Sequence, residues 1–174
     1  MAIRTVNYIV LTKVNSAITI FLLSCILNSC NNTRKPLTEK EFTDVQDSVR
    51  VLTTLIARDV SSEGPAAWLR YFENSPGFFM ASDGQLVFPN NDSATSFIKN
   101  KLIKSMDKIV LTWNDMRIDP LTSKLACIAS AYHEEITYVD GKKMPANGYF
   151  TGIAEQTPLG WQLRNAHWSL MATK

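Results

Sequence analysis

Gly160-Trp161-Gln162-Leu163-Arg164-Asn165-Ala166-His167-Trp168-Ser169 is the stretch on which the fold turns. Aromatic and branched residues alternate with polar ones, which is the pattern of a strand. Successive strand side chains point to opposite faces. Strict alternation therefore puts Trp161, Leu163, Asn165, His167 and Ser169 on one side, and Gln162, Arg164, Ala166 and Trp168 on the other. The first set runs from apolar to polar, as expected where a sheet wall passes from a packed core into a pocket.

Upstream lie three more long strands, over 108–118, 123–139 and 146–155. Asp119-Pro120, Asp140-Gly141 and Thr157-Pro158-Leu159-Gly160 read as the turns between them. Further back the period changes. Thr38-Glu39-Lys40-Glu41 is a capping box, and Phe42, Val45, Val49, Leu52 and Ile56 make the apolar stripe of a long helix ending near Val60. Pro65 starts a short second helix. Phe78–Ser82 and Gln85–Phe88 flank Asp83-Gly84, a hairpin signal because both turn residues tolerate positive φ. Asp92 or Ser93 opens a third helix with Ala94, Phe97, Ile98 and Leu102 inward.

Helices followed by a run of long strands predict an α+β fold with an antiparallel sheet. Strands this long must curl around the helices, and Gly148 and Gly152 are placed to permit bending. The expected shape is a cone, a curved sheet closed by three N-terminal helices.

That order of elements, ending in Gly-Trp-x-Leu-x-x-x-His-Trp-Ser, resembles the SnoaL-like branch of the nuclear transport factor 2-like superfamily. Ala126-Cys127-Ile128-Ala129, Tyr138-Val139-Asp140-Gly141 and Met144-Pro145 look similar to the association domain of calcium/calmodulin-dependent kinase II in the same superfamily. The resemblance covers about residues 38–171. It implies a pocket on the concave face of the sheet. Carried onto this chain, that face takes Ser130, Tyr132 and Glu134, then Phe150, Gly152 and Ala154, then Asn165 and His167. Trp68, Tyr71 and Met80 would close the mouth, and Trp113 would join the wall. The superfamily holds enzymes and non-catalytic binders, so fold alone does not assign chemistry.

His167 is the sharpest candidate catalyst, since an imidazole exchanges protons near neutral pH. Glu134 or Asp115 would have to orient it, and Tyr132 could polarise a carbonyl. The simpler alternative is that His167 is a hydrogen-bonded wall residue. Trp168, placed on the convex face by alternation, would be an exposed aromatic unless covered, which hints at a homodimer through that face.

The N-terminal segment carries a different message. Residues 1–29 contain Arg4 and Lys13 and no acidic residue, and residues 14–27 are mostly apolar. The run is short of the roughly 20 residues a membrane span needs and suits a signal peptide. Leu27-Asn28-Ser29-Cys30 resembles a bacterial lipobox, with Leu22-Leu23-Ser24-Cys25 as a rival. The expected organisation is a leader over 1–29, a lipidated Cys30 with a tether to residue 36, and one domain over 37–174. Such a chain would be anchored in the bacterial cell envelope, on the periplasmic or outer face.

Charge supports this division. Of 18 Lys and Arg, two lie in the leader, leaving 16 against 16 Asp and Glu. A balanced domain gives no electrostatic case for nucleic acid. Lys99, Lys101, Lys104 and Lys108 spread over more than one helix face, as solvated lysines do. Cleavage at Cys30 leaves only Cys127 as a free thiol, so no disulfide framework forms. HExxH, paired CxxC, Gly-rich phosphate-loop and Gly-x-Ser-x-Gly motifs are absent from the sequence, so neither a metal nor a cofactor is expected. Two main readings follow: a binder of a small, partly apolar molecule, or an isomerase- or hydrolase-type acid–base enzyme using His167 with Tyr132 and a carboxylate. A structural dimerisation module is the third.

Overall fold

The computed structural model describes residues 35–171. The leader, Cys25, Cys30 and most of the tether lie outside the described residues. Helix α1 (Glu39–Glu63) is followed by a 3-10 helix (Pro65–Arg70), the hairpin β1 (Phe79–Ser82) and β2 (Gln85–Phe88), and helix α2 (Asn91–Phe97). The α2 helix continues through a π segment, Ile98–Leu102, into a last turn. Strands β3 (Met106–Thr122), β4 (Leu125–Tyr138), β5 (Lys143–Thr157) and β6 (Gly160–Leu170) complete one sheet in the order β2-β1-β6-β5-β4-β3. All neighbours are antiparallel except β1 and β6, which run parallel. The fold is α+β, a curved six-stranded sheet over the helices.

Local chemistry explains each start and turn. The Glu41 amide donates to Thr38 Oγ1 at 3.2 Å, and the Thr38 amide donates to Glu41 Oε2 at 2.8 Å, closing the capping box. Asn90 caps α2 by accepting from the Ser93 amide at 2.9 Å. The hairpin turns through Asp83 at φ 50 and Gly84 at φ 81, the left-handed pair a tight hairpin requires. Val45, Val49, Leu52 and Ile56 are buried against the sheet, whereas Phe42, at the outer end of the stripe, stays exposed.

Asp119-Pro120 is not a turn. Both residues belong to β3, paired with Cys127 and Ala126, and the chain reverses at Ser123-Lys124. β3 is an edge strand, where a proline's missing N–H leaves no ladder bond broken.

Gly148 and Gly152 permit close approach. A Cβ on Gly148 would lie 1.9 Å from the Ser169 carbonyl oxygen and 2.7 Å from the Tyr132 hydroxyl. One on Gly152 would lie 2.8 Å from the Asn165 carbonyl oxygen. Their bare backbones let β5 and β6 bend together while large rings lie across the inner face.

Candidate functional site

The inner face of β4 follows strict alternation. Ala126, Ile128, Ser130 and Tyr132 are buried, with Ile136 beyond Glu134. β6 does not alternate through its length. Ile153 pairs with Asn165, but Ala154 pairs with Leu163, so Arg164 is an extra residue in β6. A bulge of this kind puts two residues opposite one and reverses the facing of everything beyond it. The Asn165 side chain stabilises the bulge by accepting the Ile153 amide at 3.1 Å.

The consequence is a correction to the face assignment. Leu163 is inward before the bulge, and Ala166 and Trp168 are inward after it. Asn165 and His167 face the convex side, where His167 is exposed and pairs with Thr151. His167 is therefore no wall of the pocket. Trp168, expected outside, packs edge-on to Trp68 at 5.6 Å and to Tyr132 at 4.7 Å. It also stacks on Trp113 at 5.7 Å, and so supplies no exposed aromatic for a dimer. A signal was present: apolar spacing moves from odd positions, Trp161 and Leu163, to even ones, Ala166 and Trp168.

Asp115 is displaced by a second irregularity. It adopts φ 51 within a register shift of β3 between Asn114 and Arg117, and it is exposed. Neither Asp115 nor His167 reaches the concave side. Tyr71 is also reassigned. Its hydroxyl donates a short hydrogen bond to Asp59, which Arg58 and Arg70 hold by ion pairs at 2.7 and 2.8 Å. These donors keep the Asp59 carboxyl well below the usual carboxylate range, with the Arg58 hydrogen bond the largest cause. Tyr71 is thus tied to α1 and lines an outer groove of about 780 Å³, between α1, the 3-10 helix and Trp161, rather than the mouth of the sheet cavity.

The sheet cavity measures about 370 Å³. Trp68, Met80 and Phe88 form one side, and Phe97, Ile98 and Leu102 form a second. The sheet contributes Tyr132, Glu134, Ile136, Ala146 and Trp168. Val87, Met144 and Leu170 stand exposed at its rim. Trp113 and Phe150 lie behind Trp168 as a floor, with Trp113 Nε1 donating to the Thr53 carbonyl at 3.0 Å. Ser130 is buried deeper, its hydroxyl donating to Asn114 O at 2.8 Å, and so braces the irregular part of β3.

Glu134 is the one carboxyl group among the described residues that line this cavity. Its carboxyl makes no hydrogen bond, and burial pushes it up to about 7, against a small opposing effect of His133. Among the described residues no sealed side-chain oxygen or nitrogen lacks a partner, so the Glu134 oxygens are not sealed off, and the residue lines the cavity. Tyr132 is pushed up to about 12, first by burial and then by Glu134 and Asp83. It is therefore a neutral phenol at any physiological pH. Its hydroxyl sits 3.5 Å from the Ser169 carbonyl, a long contact that leaves capacity for a ligand. Burial likewise raises the Cys127 thiol, which keeps it protonated and poorly nucleophilic.

No protein-family model and no curated protein matches the sequence. Solved structures do match in shape. A nuclear transport factor 2-like superfamily protein from Salmonella enterica serovar Typhimurium aligns with a TM-score of 0.64 at 15% identity, covering 76% of this chain and 94% of that one. A type 2 hexachlorocyclohexane dehydrochlorinase, LinA, aligns at 0.63 and 8% identity over 78% and 90% of the two chains. The type 3 LinA of Novosphingobium barchaimii gives 0.62 and 7% identity over 79% and 93%. At these identities the likeness is one of architecture, and this chain has the nuclear transport factor 2-like fold.

Proposed function

We propose that the domain binds a small, largely apolar organic molecule in the sheet cavity, with Glu134 receiving its polar group. One observation carries this reading: an apolar hollow of about 370 Å³ with a single unpartnered carboxylate in its wall. Apolar walls with a few convergent polar groups are the usual make-up of small-molecule sites. The test is a titration of the full chain with the neutral fluorophore N-phenyl-1-naphthylamine. Saturable binding is expected, and Ala146→Trp, which fills the cavity, abolishes it while the far-ultraviolet dichroism is unchanged. Binding that survives Ala146→Trp places the probe elsewhere and overturns the reading.

A second reading, acid–base turnover, rests on Glu134 rather than His167. A carboxyl held at about 7 is matched to proton transfer at neutral pH. The likeness to LinA, a dehydrochlorinase, shows only that this architecture accommodates such chemistry elsewhere. Turnover lost in Glu134→Gln with ligand affinity retained would favour this reading over simple binding.

We also propose that the chain is lipid-anchored at Cys30 in the bacterial cell envelope, on the strength of the leader and the lipobox-like Leu27-Asn28-Ser29-Cys30. Cys30→Ala is expected to leave the precursor unprocessed and to block incorporation of labelled palmitate. Normal processing and labelling of that variant would sink the assignment.

A further inference from the structure

We propose that the occupant of the sheet cavity is an organic cation, a hydrophobic amine whose ammonium rests on Glu134 and whose body lies among Trp68, Tyr132 and Trp168. This deepens the binding reading and rests on it. The cavity is walled by the 3-10 helix, β1, β2, the α2 segment and strands β3 to β6, and none of them sends Lys, Arg or His into it. Among the described lining residues Tyr132 is the only other titratable group, and Asp83, at the hairpin turn, adds further negative potential at it. His133, next to Glu134 in sequence, is turned to the opposite side, where it meets Asn147 at 2.8 Å and Glu135 at 3.8 Å. Among the described residues lining the cavity, Glu134 therefore has no cationic partner.

The walls favour the same ligand. Aromatic faces attract cations through their quadrupoles, more strongly once water is excluded. Trp68 and Tyr132 each stand edge-on to Trp168, at 5.6 and 4.7 Å between ring centroids. Met80, Met106 and Met144 add polarisable, adaptable surface. An anionic ligand would meet Glu134 as a like charge. A neutral carbonyl ligand would instead need Glu134 protonated, and the two cases differ in the sign of their pH dependence. The carboxyl ionises as pH rises through about 7, so amine binding strengthens upward through that range and carbonyl binding weakens.

The experiment compares three probes of one shape on the full chain: 2-naphthylmethylamine, 2-naphthalenemethanol and 2-naphthoate, followed by calorimetry and tryptophan quenching. Near pH 8 the amine is expected to bind roughly ten- to a hundredfold tighter than the alcohol, the range of a charge-assisted hydrogen bond. Near pH 5, and in Glu134→Gln at both pH values, amine and alcohol converge. Alcohol or naphthoate binding as tightly as the amine near pH 8, with Ala146→Trp still blocking it, overturns the cation proposal and leaves the cavity reading standing. An amine preference that persists in Glu134→Gln also overturns it. Failure of all three probes to bind overturns both. Unchanged dichroism of Glu134→Gln shows that its fold is intact.

Discussion

Trp168→Ala is expected to lower the unfolding free energy by about 3–5 kcal/mol, the range for removing a large aromatic from a core. His167→Ala, one residue away, should cost less than about 0.5 kcal/mol, as surface changes usually do. Trp168 touches four rings: Trp68, Trp113, Tyr132 and Phe150, with centroids between 4.7 and 5.7 Å. Removing it opens the floor and one wall together, and aromatic pairs add stabilisation beyond area alone. His167 stands exposed on the other face. The comparison isolates the bulge, because alternation without it makes the opposite forecast. Chemical denaturation of both variants gives the answer, and a larger loss for His167→Ala would mean that the inward face of β6 is misassigned. Trp168→Ala should also lose N-phenyl-1-naphthylamine, whereas His167→Ala should keep it.

Glu134→Gln is expected to stabilise the protein by about 3 kcal/mol near pH 9 and to change little near pH 4. The sign follows from proton binding. The folded carboxyl titrates at about 7 against an ordinary 4.5, so between those values the folded state holds a proton that the unfolded state has released. Stability from the neutral carboxyl is full below the unfolded value and declines as pH rises through 7. Gln carries no charge to desolvate, so its curve stays flat across that interval. Thermal melts of the two proteins from pH 4 to pH 9 measure the divergence, and parallel curves would show that Glu134 is solvated. A group that costs stability at neutral pH yet faces a cavity fits the proposed ligand site. Bound amine should reverse the penalty, since a ligand selective for the folded state stabilises it.

Much of this architecture was legible from local chemistry. The Thr38–Glu41 capping box, the stripe from Val45 to Ile56 and the Asp83-Gly84 hairpin each depend on a few neighbouring residues, and the structure places them as expected. The inner face of β4 was readable for the same reason, since its pairing with β5 runs without a register shift. Ser130, Tyr132 and Glu134 therefore stand where alternation puts them, although only Tyr132 and Glu134 line the cavity.

The remaining placements depend on partners distant in sequence. Asp119-Pro120 has turn-forming residues but lies in an edge strand whose outer side needs no hydrogen bonds. Tyr71 has the size to close a mouth, yet Asp59 on α1 captures its hydroxyl. For β6 the sequence by itself determined a strand rich in tryptophan at the end of an α+β chain. Which of its side chains enter the cavity was decided by the curvature shared with β5, which accommodates an extra residue at Arg164. Alternation is a property of one strand, whereas register belongs to two, and a single bulge exchanges His167 for Trp168 in the wall of the site.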